Sequence, residues 1–261
     1  MFFENKNLNW NMDSVQILNV RVDNITQEEL LHQLKEGVLV TPNVDDIMKH
    51  QKDKEFHEMA LQADYSVCDS KILLLSSKFI GKGLREAIPG SSFFPAFCDF
   101  YAKDENIKIF LLGAKNGVAD LAAEKINARI GREIIVGTYS PPLGFEKDEN
   151  ECKYIVEILK SSPANVILVG LGNPKQTKWI YKYKDSIPNV KIYLALGATI
   201  DFEAGNIKRA PKIFQKLALE WLCRLCSDPK RLWKRYLVDD IQFFGLLLKY
   251  KFGKYKDPFV S

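Results

Sequence analysis

A carboxylate placed where an apolar run hands over to a helix-like run, as Asp69 is in "YSVCDSKILLL", has two uses. It can cap the helix expected over 70–80. It can also take a proton from a substrate hydroxyl that lies within hydrogen-bond reach. The residues alone leave both open. Two further apolar runs end in turns that could build a site. "GVLVTPNVDDI" sets Thr41, Asn43 and Asp46 at one such end. "NVILVGLGNPKQTKWI" sets Gly170, Gly172 and Gln176 at another, just before a helix expected to begin near Pro174, where backbone N–H groups suit a phosphate or the edge of a nucleotide base. "LLGAKNGVA" (111–119) is a similar nucleotide-facing turn. It lacks both the GxGxxG spacing and the Lys-Ser/Thr of a P-loop, so nicotinamide redox chemistry and NTP hydrolysis are unsupported.

Those turns need strands to hold them. Six apolar runs read as buried strands: Gly37–Thr41, Tyr65–Asp69, Ile107–Gly113, Glu133–Tyr139, Asn165–Gly172 and Lys191–Gly197. Helical spacing lies between them, starting after a Thr26/Glu29 capping box and recurring over Asn116–Ile130 and Asp148–Lys160. Continuous apolar strands alternating with helices predict an α/β body whose mostly parallel sheet is covered on both faces. In such a sheet, ligands collect at the carboxyl ends of the strands, where all three turns fall. After Gly205 the pattern becomes helical only. Two helices are expected, roughly Pro211–Ser227 and Pro229–Phe252, with Asp228 capping the second and Pro229 in its first turn. The chain thus divides into an α/β domain over 1–205 and a helical appendage over 206–261.

The appendage carries the charge. The whole chain of 261 residues has a net charge of +4, yet residues 206–261 hold 13 Lys and Arg against 5 Asp and Glu. The rest is therefore mildly acidic, which points away from nucleic acid and toward phosphate or a lipid surface as the anionic partner. In "FQKLALEWLCRLCSDPKRLWKRYL" (214–237) the arginines and lysines are interleaved with Trp221, Trp233 and Tyr236. Such runs commonly just solvate a helix. Mixed with aromatics they also suit a membrane interface, and arginine forks can grip phosphate oxygens. The N-terminus has no signal-peptide pattern, and "IQFFGLLL" (241–248) is far short of a membrane span, so a cytoplasmic protein is expected. The five cysteines are an odd number scattered through apolar segments without a disulfide-like framework, and Cys223 and Cys226 of the lone CxxC read as buried or half-buried apolar residues rather than a redox pair. His32, His50 and His57 read as residues of solvated helix faces.

These motifs together resemble the WecG/TagA/CpsF glycosyltransferases. The likeness runs from about Val15 to the end, through "TPNVDDI", "VCDSKILLLSSKFIG", "IPGSSFF", "FLLGAKNGVA", "SPPLGFEKDE", "VGLGNPKQTKWI" and, above all, "GATIDFEAGNIKRAPKIFQKLALEWLCRLCSDPKRLWKRYL". The resemblance implies a Rossmann-like body that binds a UDP-sugar donor and an appendage that docks on the membrane and closes over the site. It implies an inverting transfer to a polyprenyl-diphosphate-linked sugar, without metal or cofactor, by a protein peripheral on the inner face of the cell membrane. It places the catalytic base on Asp69, active-site positions on Thr41 and Asn43, and the motif glutamine on Gln176. The arginines of the appendage fall on Arg209, Arg224, Arg231 and Arg235, of which one or more would neutralise the diphosphate. Self-association in solution is left open. Two positions depart from the pattern: Thr177 stands where an acid follows the glutamine, and Ser92 where an aspartate is expected. A basic residue common just before the latter falls on Ala87, with Arg85 close by. Both lost carboxylates are expected near the donor pocket. They motivate an alternative, a catalytically altered homologue that binds lipid-linked sugar or partner enzymes without transfer.

Overall fold

The computed structural model describes residues 13–260 apart from 212, 215 and 216, and at 231 the backbone alone. All six expected strands form, each shorter than its apolar run. In chain order, an antiparallel hairpin of β1 (Ser14–Ile17) and β2 (Val20–Asp23) leads to α1 (Gln27–Gln33), β3 (Gly37–Val40), α2 (Val44–His50) and α3 (Lys54–Ala60). Then come β4 (Tyr65–Ser66), α4 (Lys71–Phe79), α5 (Gly90–Phe100), β5 (Ile109–Gly113), α6 (Val118–Ile130) and β6 (Ile135–Tyr139). The body closes with α7 (Glu149–Ser161), β7 (Val166–Gly170), α8 (Lys175–Tyr183), β8 (Ile192–Ala195) and α9 (Thr199–Ala204). Strands β3 to β8 form one parallel sheet in the order β4-β3-β8-β7-β5-β6.

The continuous apolar runs are explained by burial on both faces. Ile109 and Leu111 of β5 pack on one side with Val166 and Leu168 of β7 and Phe93 and Phe97 of α5. The alternate residues Phe110, Leu112, Ile167 and Val169 pack on the other with Ile155 of α7 and Ile180 of α8. The carboxyl ends of β5 and β7 come so close that a Cβ on Gly113 would lie 2.5 Å from the Gly170 carbonyl, at a φ of +125°. Gly170 in turn leaves room for Ile200 of α9, whose Cδ1 would meet a Cβ there at 2.8 Å.

The hairpin is absent from the sequence reading. Its strands are four residues each, and Asp23 is anchored sideways, its Oδ2 accepting from the Ser66 N–H at 2.7 Å on the sheet's edge strand. A third apolar cluster joins this hairpin to the end of the chain: Val15, Ile17, Met48 and Leu73 surround Phe243 and Leu247.

The C-terminal part is helical, as expected, but more broken. It comprises α10 (Glu220–Ser227), α11 (Pro229–Lys234), a π-turn over Arg235–Asp239 and α12 (Gln242–Lys251). Asp228 stands at the N-cap of α11, and Pro229 opens it. The single helix expected over 229–252 is interrupted because the Asp240 N–H donates to the Arg235 carbonyl five residues back, at 2.8 Å. The wider turn brings the Arg235 and Asp240 side chains to one place.

Two expectations about small polar residues are corrected. His50 and His57 do not lie on solvated faces. They are 3% and 7% exposed, and their Nδ1 atoms share a hydrogen bond of 3.0 Å. Burial, with His57 adding to it, pushes the His50 imidazole down to about 3, so both rings are neutral and one donates to the other. Phe259 stacks on His57, and the Tyr255 hydroxyl donates to Gln51 at 2.7 Å, so the pair sits under the chain's last turn, 200 residues away in sequence. Cys226 is exposed rather than buried, because α10 turns it outward while Cys223 is half-buried.

Candidate active site

Asp69 lies just past β4, at the carboxyl edge of the sheet. Its N–H donates to the Pro42 carbonyl at 3.1 Å, tying its loop to the one that follows β3. The capping alternative does not hold: Ser70 caps α4, its Oγ accepting from the Leu73 N–H at 3.2 Å. The Asp69 carboxylate instead accepts from the Gly90 N–H through Oδ1 at 3.0 Å, and among the described residues nothing hydrogen-bonds Oδ2. Burial raises its pKa above the usual carboxylate range, against the pull of Arg224 and of the Gly90 N–H. Nearby Glu220 adds to the rise, while Arg235 opposes it. A half-buried carboxylate made more basic by its surroundings is what proton abstraction asks for.

Two clefts meet beside it, both roofed by the appendage. The larger, about 510 Å³, has a mixed lining that includes Ser91, Ser92, Asn206, Arg209 and Arg224 beside Phe202, Ile207 and Leu232. The smaller, about 260 Å³, is lined by the carboxylates of Asp45, Asp69 and Asp240, by Asn43 and by apolar side chains. Lys71, Glu220, Arg224 and Arg235 line both, so three cations and one carboxylate stand at the junction.

The arginines differ in what holds them. Arg209 reaches over from 206–210 and donates to the Ser91 carbonyl and, at 3.3 Å, to the Ser92 hydroxyl. Arg224 lies over the Phe202 ring with its guanidinium carbon 5.3 Å from the centroid. Arg235 is held by carboxylates: its Nη2 is 3.1 Å from Asp45 Oδ2 and 3.5 Å from the Asn43 amide oxygen, and its Nε is 3.9 Å from Asp240. Lys49 completes the cluster, 2.5 Å from Asp45 and 3.9 Å from Asp46. The Arg231 side chain lies outside the described residues.

Burial pushes Asp46 up to about 6 and Asp240 up to about 7; Asp45 reinforces both, and Arg235 and Lys49 restrain them. A carboxyl whose folded pKa is raised makes the fold cost more as pH rises from its unfolded value to its folded one, and the cost is constant above that. Asp240→Asn should therefore melt at the same temperature as wild type near pH 4. Its advantage should grow to a few degrees by pH 7 and stay flat at pH 8, as read by calorimetric melts across that range.

The other expected residues lie beneath the clefts. Asn43 caps α2, accepting from the Asp46 N–H at 3.2 Å while Asp46 accepts from the Asn43 N–H. Thr41 is buried and lines neither cleft. Gln176 is buried with both ends of its amide engaged: Oε1 accepts from the Gly172 and Gly197 N–H groups at 3.0 and 3.1 Å, and Nε2 donates to the Ala195 carbonyl at 3.0 Å. It clasps the turns after β7 and β8. Gly172 allows that turn with a φ of +74°. Of the two departures, only Ser92 faces the larger cleft. Thr177 is fully buried, with its hydroxyl donating to Asn173 at 2.8 Å, so an acid missing there is not missing from either cleft. Arg85 is engaged elsewhere, 2.5 Å from Glu29. Sequence reasoning missed Lys71, Glu220, Asp45 and Asp240. For Lys71 the signal was its place two residues after Asp69 at a helix start; for Asp240 it was a carboxylate flanking an apolar helical run.

The family described as "Glycosyl transferase WecG/TagA/CpsF family" matches residues 15–257, nearly the whole of this fold. The chain belongs to that family. Among relatives, a Bacillus spizizenii protein named N-acetylglucosaminyldiphosphoundecaprenol N-acetyl-beta-D-mannosaminyltransferase is 30% identical over 207 residues, 79% of this chain and 77% of its own. A Staphylococcus aureus protein of the same name is 29% identical over 231 residues, 85% of this chain and 88% of its own. The name that both relatives carry gives them a diphosphate-containing acceptor. Among the described residues, no helix is long and apolar enough to cross a membrane.

Proposed function

We propose that this chain transfers a sugar from a UDP-sugar to a polyprenyl-diphosphate-linked N-acetylglucosamine, with inversion and without a metal, N-acetylmannosamine being the first donor to try. The observation that carries the reading is Asp69: a carboxylate with a raised pKa, one oxygen of which nothing among the described residues hydrogen-bonds, in the wall of the smaller cleft beside the larger one. The relatives' names supply the acceptor class and the donor sugar.

In this reading the donor occupies the larger cleft. The acceptor hydroxyl attacks the anomeric carbon from the face opposite UDP. A carbon–oxygen bond forms to the acceptor as the one to UDP breaks, the hydroxyl proton passes to Asp69 Oδ2, and UDP leaves with the bonding pair. Lys71, Arg209 and Arg224 line the cleft that receives the leaving diphosphate and can meet its charge. Gln176 and the glycine turns act by position, holding the strand ends in register. Closing the appendage over the donor also excludes water and so suppresses its hydrolysis.

The same appendage supports a peripheral attachment to the membrane. Trp233 and Ile241 are 52% and 57% exposed, and Leu237, Phe244 and Leu248 are exposed beside them, with Lys234 and Lys249 between. The test is a panel of UDP-sugars with a synthetic polyprenyl-diphosphate-N-acetylglucosamine in detergent and EDTA, followed by acceptor mass. A gain of one N-acetylhexosamine is the expected result. No gain with any donor, with UDP still bound in calorimetry, would replace the reading by the non-transferring homologue.

A further inference from the structure

Behind the wall shared by the two clefts, the charges do not balance. Among the described residues, three carboxyls, Asp45, Asp46 and Asp240, gather around two cations, Arg235 and Lys49. Asp45 Oδ2 serves both cations, 3.1 Å from Arg235 Nη2 and 2.5 Å from Lys49 Nζ. Asp46 accepts from the Asn43 N–H and lies 3.9 Å from Lys49, which also donates to the Asn173 carbonyl at 2.9 Å. Asp240 is served worst. Its Oδ2 is 3.9 Å from Arg235 Nε, too far for a hydrogen bond, and its buried Oδ1 and that buried Nε both lack a hydrogen-bond partner among the described residues. Its neighbour Asp239 turns to Lys52 instead, at 3.8 Å. The excess carboxyl of a buried cluster is the one that keeps its proton. Burial, reinforced by Asp45, holds Asp240 at about 7 against the pull of Arg235 and Lys49.

We propose that Asp240 is a positioning residue that acts through Arg235: it takes up a proton from solvent when the diphosphate of a nucleotide sugar enters the larger cleft, and so leaves the arginine's charge to that anion. Arg235 lines the larger cleft and Asp240 does not, so the arginine stands between the arriving anion and the carboxyl. Asp45 braces it there. Before binding, the charge of Arg235 offsets the carboxyls behind it. A diphosphate on the cleft side adds negative charge beside a cluster that already has an excess. The proton that restores the balance goes to Asp240, whose Oδ1 no group among the described residues uses. It returns to solvent when the cleft empties, and it is distinct from the acceptor's hydroxyl proton, which passes to Asp69. The place of the donor rests on the transferase reading above; the imbalance of the cluster does not. Asp69 and Glu220 face the same junction with Lys71 and Arg224, so Asp69 is the rival site for the proton.

The test titrates the full chain with UDP-N-acetylmannosamine in a calorimeter, without acceptor, in two buffers of different ionisation enthalpy at pH 7.5. Each phosphate of this ligand has a single acidic oxygen, already ionised, so the protons counted belong to the protein. Uptake of roughly half a proton per ligand is expected, for a carboxyl whose proton affinity the anion raises about tenfold. The bound form then holds more protons between the free and bound values. Affinity should therefore rise about three- to tenfold as pH falls from 8.5 toward 7, and stay flat below. Asp240→Asn should abolish most of the uptake and flatten that profile. Asp45→Asn, which leaves two carboxyls against two cations, should shrink the uptake with Asp240 in place. Asp69→Asn should keep it. Binding without uptake overturns the inference and leaves the donor reading intact. Uptake that survives Asp240→Asn, or that vanishes in Asp69→Asn, also overturns it, because the proton then sits elsewhere. If the wild type does not bind the ligand at all, this inference and the donor's place in the larger cleft fall together.

Discussion

Asp69→Asn should lower the transfer rate by roughly 10²–10⁴-fold, the usual contribution of a positioned general base, while UDP binding and the fold persist. The substitution is nearly isosteric, and the amide oxygen can still accept from the Gly90 N–H as Oδ1 does. What disappears is the second carboxylate oxygen, which nothing among the described residues hydrogen-bonds. The pKa direction adds a second signature. Burial holds the carboxyl above its ordinary range, so the wild-type rate should rise with pH through that raised value, and the residual rate of the variant should lose this limb. The same burial makes the ionised carboxylate a cost to the fold at neutral pH, so the variant should melt no lower than wild type at pH 8. Single-turnover rates and melting curves on the two proteins check both. A variant that keeps its rate would remove Asp69 from the chemistry.

Much of the body was legible because its signals are local. A buried parallel strand must be apolar on both faces, so β5 and β7 announce themselves as runs, and the glycines that end them are required by the approach of Gly113 to Gly170. The Thr26/Glu29 box works within three residues, and it forms as read. What stayed hidden is what distance in the chain assembles. Nothing in "VDDIM" or "VDDIQ" says that Asp45 and Asp240 will hold the same arginine, 190 residues from the first and five from the second. The buried histidine pair has the same cause. His50 and His57 look like charged-helix residues until the last turn of the chain covers them. Gln176 was legible as a motif, yet its task was not, because its three partners lie on the ends of β7 and β8.

Phe243→Ala should detach the appendage and cost about 3–5 kcal/mol of local stability, the usual range for deleting a fully buried aromatic side chain. Phe243 is completely buried, and it anchors α12 among Val15, Ile17, Met48 and Leu73, far along the chain from itself. Around it the appendage is attached by weaker means: a Tyr250 hydroxyl donating to the Gln16 carbonyl at 3.0 Å, and the Arg235 cluster, in which burial raises the Asp240 carboxyl. The sheet has its own two cores and does not depend on Phe243. Opening should therefore be sub-global. Amide exchange should speed up across α10 to α12 while β5, β7 and β8 stay protected, and transfer should fall because Arg224 and Arg235 no longer line the clefts. Phe243→Leu, which keeps most of the volume, should restore both. If the sheet exchanges together with the helices in the alanine variant, residues 206–261 are not a separable unit, and the division of this chain at Gly205 fails with them.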